Sequence, residues 1–180
     1  MSTTSYSLPN IRRVVTGHTA EAEPTIILDE SVQPKFWHPK STNGVFDLYR
    51  TEQVPANNNE VKGEWVDSIA HSLPGPAGLS TLNGATFRVF DYAPGSSVFP
   101  HRTESLDFGI IMQGSVVLDL ENGESTILKQ GDVIVQRGVL HSWKNPSPTE
   151  WTRIYWVVVG AKPVEVNGQV LGEDWSRRPQ

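Results

Sequence analysis

Residues 94–114 read PGSSVFPHRTESLDFGIIMQG, and residues 131–145 read GDVIVQRGVLHSWKN. Each stretch has a glycine-bearing turn, a short apolar run and a histidine, His101 or His141. Between them, Ser115–Leu120 (SVVLDL) and Ser125–Leu128 (STIL) flank ENGE, where Asn122-Gly123 predicts a type I′ hairpin. Further strands are predicted at Ala85–Tyr92 (ATFRVFDY), Leu106–Gln113, Val133–Gln136, Leu140–Lys144 and Thr152–Val159 (TRIYWVVV). Short strands with turns at regular spacing predict an antiparallel sandwich or barrel.

Outward from this half the pattern is looser. Residues 1–24 are polar and read as a surface arm with one strand around Ile11–Thr16; Thr25–Leu28 and Val45–Arg50 are further strand candidates. Residues 57–60 and 72–84 read as loops, and 166–180 as a tail. No long stretch has a 3.6-residue apolar period, so helices should be few and short. The expected organisation is an arm over 1–24, a β-barrel over 25–165 and a C-terminal tail over 166–180. Thr152–Val159 is too apolar for a bare sheet edge, and the arm lacks a core of its own; together they predict a homodimer.

Composition narrows the function classes. The chain has 180 residues, enough for one domain, of which 37% are apolar and 19% charged. Cysteine is absent, which removes disulfides, thiolate metal sites and cysteine nucleophiles. The net charge is −5 and no Lys/Arg stripe occurs, so no nucleic-acid partner is expected. No apolar run could span a bilayer and the first residues lack a secretory leader, so the expectation is a cytoplasmic protein without a membrane partner. Phosphate-binding glycine loops, GxSxG and HExxH are missing.

The two histidine segments resemble the paired motifs of the cupin superfamily. Gly95, His101, Asp107 and Gly114 fall on the first motif, G-x(5)-H-x-H-x(3,4)-E-x(6)-G. Gly131, Gly138, His141 and Asn145 fall on the second, G-x(5)-P-x-G-x(2)-H-x(3)-N, with one residue fewer before the glycine and Gln136 in place of proline. The resemblance implies an all-β fold, a single small jelly-roll barrel. It covers residues 85–160 directly, and its texture is similar to that of small fungal cupin-domain proteins that accompany polyketide synthases and are often labelled oxidoreductases. A cupin metal site normally uses three histidines and a carboxylate. Here Thr103 replaces one histidine and Asp107 replaces the glutamate.

Two catalytic readings follow. In the first, His101 or His141 removes a proton alpha to a carbonyl, and Asp107 or Glu104 orients the histidine or protonates a leaving hydroxyl. That chemistry is a dehydration, cyclisation or aromatising isomerisation of a small polyketide-like substrate, with Thr103, Trp143 and Arg137 as substrate contacts. In the second, His101, Asp107 and His141 hold a divalent metal (Fe, Mn or Zn) in an oxidoreductase. A third reading, from another class, is a non-catalytic small-molecule binder. Strand alternation points Arg102 away from His101. His18, His38 and His71 sit in polar sequence and are expected to be incidental, and six tryptophans suit an aromatic cavity, a barrel core or an interface.

Overall fold

The computed structural model describes residues 6–37, 41–69 and 83–177. The described residues form thirteen strands: β1 Ile11–His18, β2 Pro24–Val32, β3 Gly44–Thr51, β4 Ala85–Tyr92, β5 Ser97–His101, β6 Ser105–Gln113, β7 Ser115–Leu120, β8 Ser125–Lys129, β9 Val133–Arg137, β10 His141–Lys144, β11 Thr152–Gly160, β12 Val164–Val166 and β13 Gln169–Leu171. The few short helices expected from the sequence do not occur among the described residues. Most of the 72–84 loop, His38 and His71 lie outside them. No helix among them is long and apolar enough to cross a membrane.

Two antiparallel sheets make the jelly roll, one five-stranded (β3-β4-β11-β6-β9) and one four-stranded (β5-β10-β7-β8). They stay separate sheets and do not close into a continuous hydrogen-bonded barrel. Side-chain alternation decides what lies between them. Ile154, Trp156 and Val158 of β11 and Ile111 of β6 point inward, meeting Val116, Leu118 and Trp143 of the smaller sheet. Gly109 sits opposite Trp156 in the β6–β11 register, and a Cβ there would lie 2.6 Å from the indole. The glycine therefore makes room for the largest inward side chain.

β11 is the centre of its sheet, bonded to β4 on one side and β6 on the other. The apolar run that argued for a partner subunit is thus covered within the chain. The arm is covered too. β1 and β2 form a hairpin whose Ile11 packs with Phe46, Leu48 and Val89 on the outer face of the large sheet. Arg153 anchors the segment before β1: its guanidinium binds both Asp91 oxygens at 2.6 and 2.7 Å and donates to Pro9 O at 2.9 Å, while the Tyr6 hydroxyl donates to Asp91. Asp91 is fully buried, so this network fixes residues 6–9 against the sheet. The expected boundary between a surface arm and a barrel beginning at residue 25 therefore does not coincide with a break in packing.

Two turns differ from expectation. At the β7–β8 turn Gly123 N donates to Leu120 O at 3.0 Å, and only Gly123 has a positive φ (87°), so Asn122-Gly123 is not a type I′ pair. The extra residue makes a type I turn closed by a left-handed glycine. The type I′ geometry occurs instead between β12 and β13, where Asn167 (φ 52°) and Gly168 (φ 78°) are both left-handed. The segment expected as a tail is thus a hairpin followed by an extended run. Asp174 in that run pairs with Arg102 through two backbone hydrogen bonds.

Candidate active site

His101 ends β5 and His141 begins β10, and the two are cross-strand partners. Their ring centroids are 4.4 Å apart. Gly138, left-handed at φ 56°, turns the chain into β10. Each imidazole is oriented by the backbone two residues before it: His101 Nδ1 lies 2.9 Å from Phe99 O, and His141 Nδ1 lies 2.9 Å from Val139 O. A carbonyl can only accept, so the neutral rings carry their proton on Nδ1 and leave Nε2 as an acceptor.

These histidines share one cavity with Thr103, Asp107 and Trp143. Asp107 is therefore on the inner face of β6, in the register that the motif spacing requires. Its neighbour across the β6–β9 ladder is Gln136, whose Nε2 donates to Asp107 Oδ2 at 2.9 Å. Thr103 is buried and accepts the Ser105 hydroxyl at 2.7 Å.

Burial sets the electrostatics. It pushes His101 down from its ordinary value against the opposing Phe99 carbonyl. It pushes His141 down to about 3, with repulsion from His101 adding to it and the Val139 carbonyl opposing. It pushes Asp107 up, against the pull of Ser105, Gln136 and Arg88. Neutral imidazole bases thus share a cavity with a carboxyl that holds its proton more tightly than usual. Burial also raises the Tyr92 phenol, another cavity wall, so it stays protonated.

Two expected residues are elsewhere. Glu104 does not line the cavity; it lies in the link between β5 and β6, with its carboxylate toward Gly172. Arg137 is exposed on β9, because alternation sends it outward where its neighbour Gln136 goes inward. Arg102 is likewise outside the cavity, with Nη1 directed at Gly172 O at 3.4 Å. His18 is exposed at the end of β1.

The structure adds cavity residues that the sequence reading missed. Gln136 stands where the second motif has proline, and its signal in the sequence is a polar residue on the inward phase of VIVQR. Tyr92 and Phe90 share the inward phase of β4. Trp175 stacks on His101, with centroids 4.9 Å apart and 13° between planes. No local pattern in residues 166–180 announces that contact.

The usual cupin set of three histidines and a carboxylate is not assembled among the described residues. Among the described residues no three His, Cys, Asp or Glu are placed to hold one ion. The position of the usual additional histidine is Thr103, whose oxygen accepts from Ser105, and Gln136 engages only Oδ2 of Asp107.

Residues 88–158 match the cupin domain family. The chain is 36% identical over 172 residues to the oryzines biosynthesis cluster protein J of Aspergillus oryzae, covering 92% of this chain and 91% of that protein. It is 33% identical over 168 residues to the cupin-domain-containing oxidoreductase virC of Hypocrea virens, covering 91% and 84%. The polyketide cyclase RemF from Streptomyces resistomycificus is 16% identical with a TM-score of 0.47, covering 71% of this chain and 72% of that one. With both motifs carried on a two-sheet jelly roll and a relative matched along nearly its full length, the chain belongs to the cupin family.

Proposed function

We propose that this protein is an enzyme of secondary-metabolite biosynthesis that moves protons on a small carbonyl-bearing, polyketide-like molecule. The observation that carries the reading is the pair of neutral imidazoles, each with Nδ1 tied to a carbonyl and Nε2 left as an acceptor, beside a carboxyl of raised pKa. In a dehydration, a histidine Nε2 takes the proton alpha to the carbonyl. The carbon–oxygen bond then breaks, and the hydroxyl leaves as water with the proton of Asp107. Imidazolium and carboxylate result, and proton return from one to the other resets the site. In an isomerisation the same histidine returns its proton to a different carbon.

His101 is the better base of the pair. His141, pushed down to about 3, is a weak base that serves as a hydrogen-bond acceptor for the substrate. Tryptophan and phenylalanine line much of the cavity, and an apolar surround of this kind strengthens each polar contact inside.

The test is deuterium uptake at the alpha carbon of 2-tetralone in D2O, followed by mass spectrometry. Uptake that needs His101, persists with a chelator and persists without dioxygen is the expected result. Uptake no faster than in buffer would reject the reading. The oxidoreductase name of the Hypocrea virens relative favours a second reading, an oxidation, which in a sequence without nucleotide-binding glycine loops or cysteine would draw on a bound metal and dioxygen. Turnover that requires dioxygen and stops on chelation would establish it.

A further inference from the structure

The cavity has a volume of about 60 Å³. Sites for small organic ligands run to roughly 300–1,000 Å³, so a wall must move before one can bind. Trp143 and Trp156 cannot do so cheaply, being 3% and 5% exposed in the central core. Trp175 is different. It follows the last hairpin, and residues 172–177 are held by the Arg102–Asp174 bridge, the Arg102 contact to Gly172 O and an exposed Arg177–Glu121 pair at 2.6 Å. Its indole N–H faces outward to the exposed Glu173 carboxylate at 3.4 Å. Its ring covers the face of His101 and meets Phe99 at 66°.

The floor of the cavity points to the ligand. Asp107 and Gln136 are more than nine-tenths buried, and Asp107 Oδ1 and Gln136 Oε1 have no hydrogen-bond partner among the described residues. Gln136 Oε1 calls for a donor, and Asp107 Oδ1, which carries the carboxyl proton, calls for an acceptor; a single ligand hydroxyl supplies both. The walls above them are aromatic faces (Trp37, Phe90, Phe99 and Trp143 among them), which suit a flat ring.

We infer that the cavity takes a flat, hydroxyl-bearing ring of the phenol or naphthol class, and that Trp175 holds the ring's place on His101 until the ligand displaces it. This deepens the proton-transfer reading and rests on it in placing substrate among the same residues. The ring stacks where the indole stood, its hydroxyl reaches Asp107 and Gln136, and residues 172–177 lift from Arg102 to admit it.

The test uses 2-naphthol and an engineered lock. Arg102 and Asp174 exchange both backbone hydrogen bonds, a pairing whose Cα separation of about 5.5 Å suits a disulfide. The chain has no cysteine to compete. In the Arg102→Cys/Asp174→Cys protein, oxidation should slow 2-naphthol association at least tenfold, and reductant should restore it. Adding Trp175→Ala should restore fast association even when oxidised. 2-Methoxynaphthalene, which lacks the donor, should bind at least tenfold more weakly than 2-naphthol. Equal rates before and after oxidation, equal affinity for the two naphthalenes, or no 2-naphthol binding in Trp175→Ala would each overturn the inference. Gated binding by a protein that exchanges no ketone proton would refute the proton-transfer reading alone.

Discussion

His101 and His141 face each other across the β5–β10 pairing with ring centroids 4.4 Å apart, each held by the carbonyl two residues before it along the chain. At that separation a charge on one ring repels a charge on the other. Burial depresses both, so the site is built around two uncharged imidazoles.

That arrangement gives stability a pH dependence of definite sign. His141 titrates near 6.5 when exposed and at about 3 in the fold. Its contribution is therefore fully present above pH 6.5 and is lost as pH falls toward 3, because the unfolded chain takes up a proton that the fold refuses. Between pH 7 and pH 5 this amounts to about 2 kcal/mol, with His101 adding in the same direction. Asp107, raised by burial, acts oppositely: its contribution is present at low pH and is lost as pH rises through its folded value. Urea unfolding of His141→Gln between pH 7 and pH 5 should show a shallower slope than wild type. An unchanged slope in His141→Gln would count against a depressed His141.

Gln136 acts through Asp107. Its amide donates to Oδ2 and so favours the carboxylate. Gln136→Leu should raise the Asp107 pKa and move the corresponding limb of the pH–exchange profile for 2-tetralone toward higher pH. Gln136→Glu, read at a pH where the new side chain is protonated and can donate, should recover part of the shift. A purely structural role would lower the rate without moving the limb.

Arg153 and Asp91 join the segment before β1 to the large sheet. Asp91 is fully buried and bound through two nitrogen–oxygen contacts, so removing either partner leaves an uncompensated charge. Arg153→Met should cost about 3–5 kcal/mol in denaturant unfolding. Because Pro9 O and the Tyr6 hydroxyl share the guanidinium, amide exchange in β1 should quicken in the same variant. Protection in β1 equal to wild type would show that the Ile11 cluster holds the hairpin without this anchor.

Thr103 stands where the cupin pattern has a histidine, on the wall of the same cavity as His101 and His141. Imidazole is a far better ligand than a hydroxyl, so Thr103→His should raise Co(II) affinity at least tenfold in a spectroscopic titration. Deuterium uptake by 2-tetralone should fall, since the larger ring fills part of a cavity of about 60 Å³. Equal Co(II) affinity in wild type and variant would show that the two histidines and Asp107 already make a metal site.

Much of this fold is local in origin. Ala85–Tyr92 and Ser115–Leu120 occupy the spans their alternation predicts, and most other strands differ by a residue or two at their ends. The same two-residue period places Asp107 and His141 on the inner face, because consecutive side chains in a strand must point to opposite sides. β5 escaped notice because SVFPH is short and contains a proline.

What the period does not contain is which segments meet. Glu104 and Arg137 were close in sequence to motif anchors, yet one lies in a link between strands and the other on an outward phase. The β1–β2 hairpin finds its core only on the outside of another sheet, through a network joining Tyr6, Asp91 and Arg153. Trp175 reaches His101 only because Arg102 and Asp174 pair across 72 positions of chain. Strand phase is set by steric alternation within a few residues, so sequence by itself determined which faces are apolar. Contacts of this range depend on how the sheets pack and where the chain returns, and only the tertiary structure decided them.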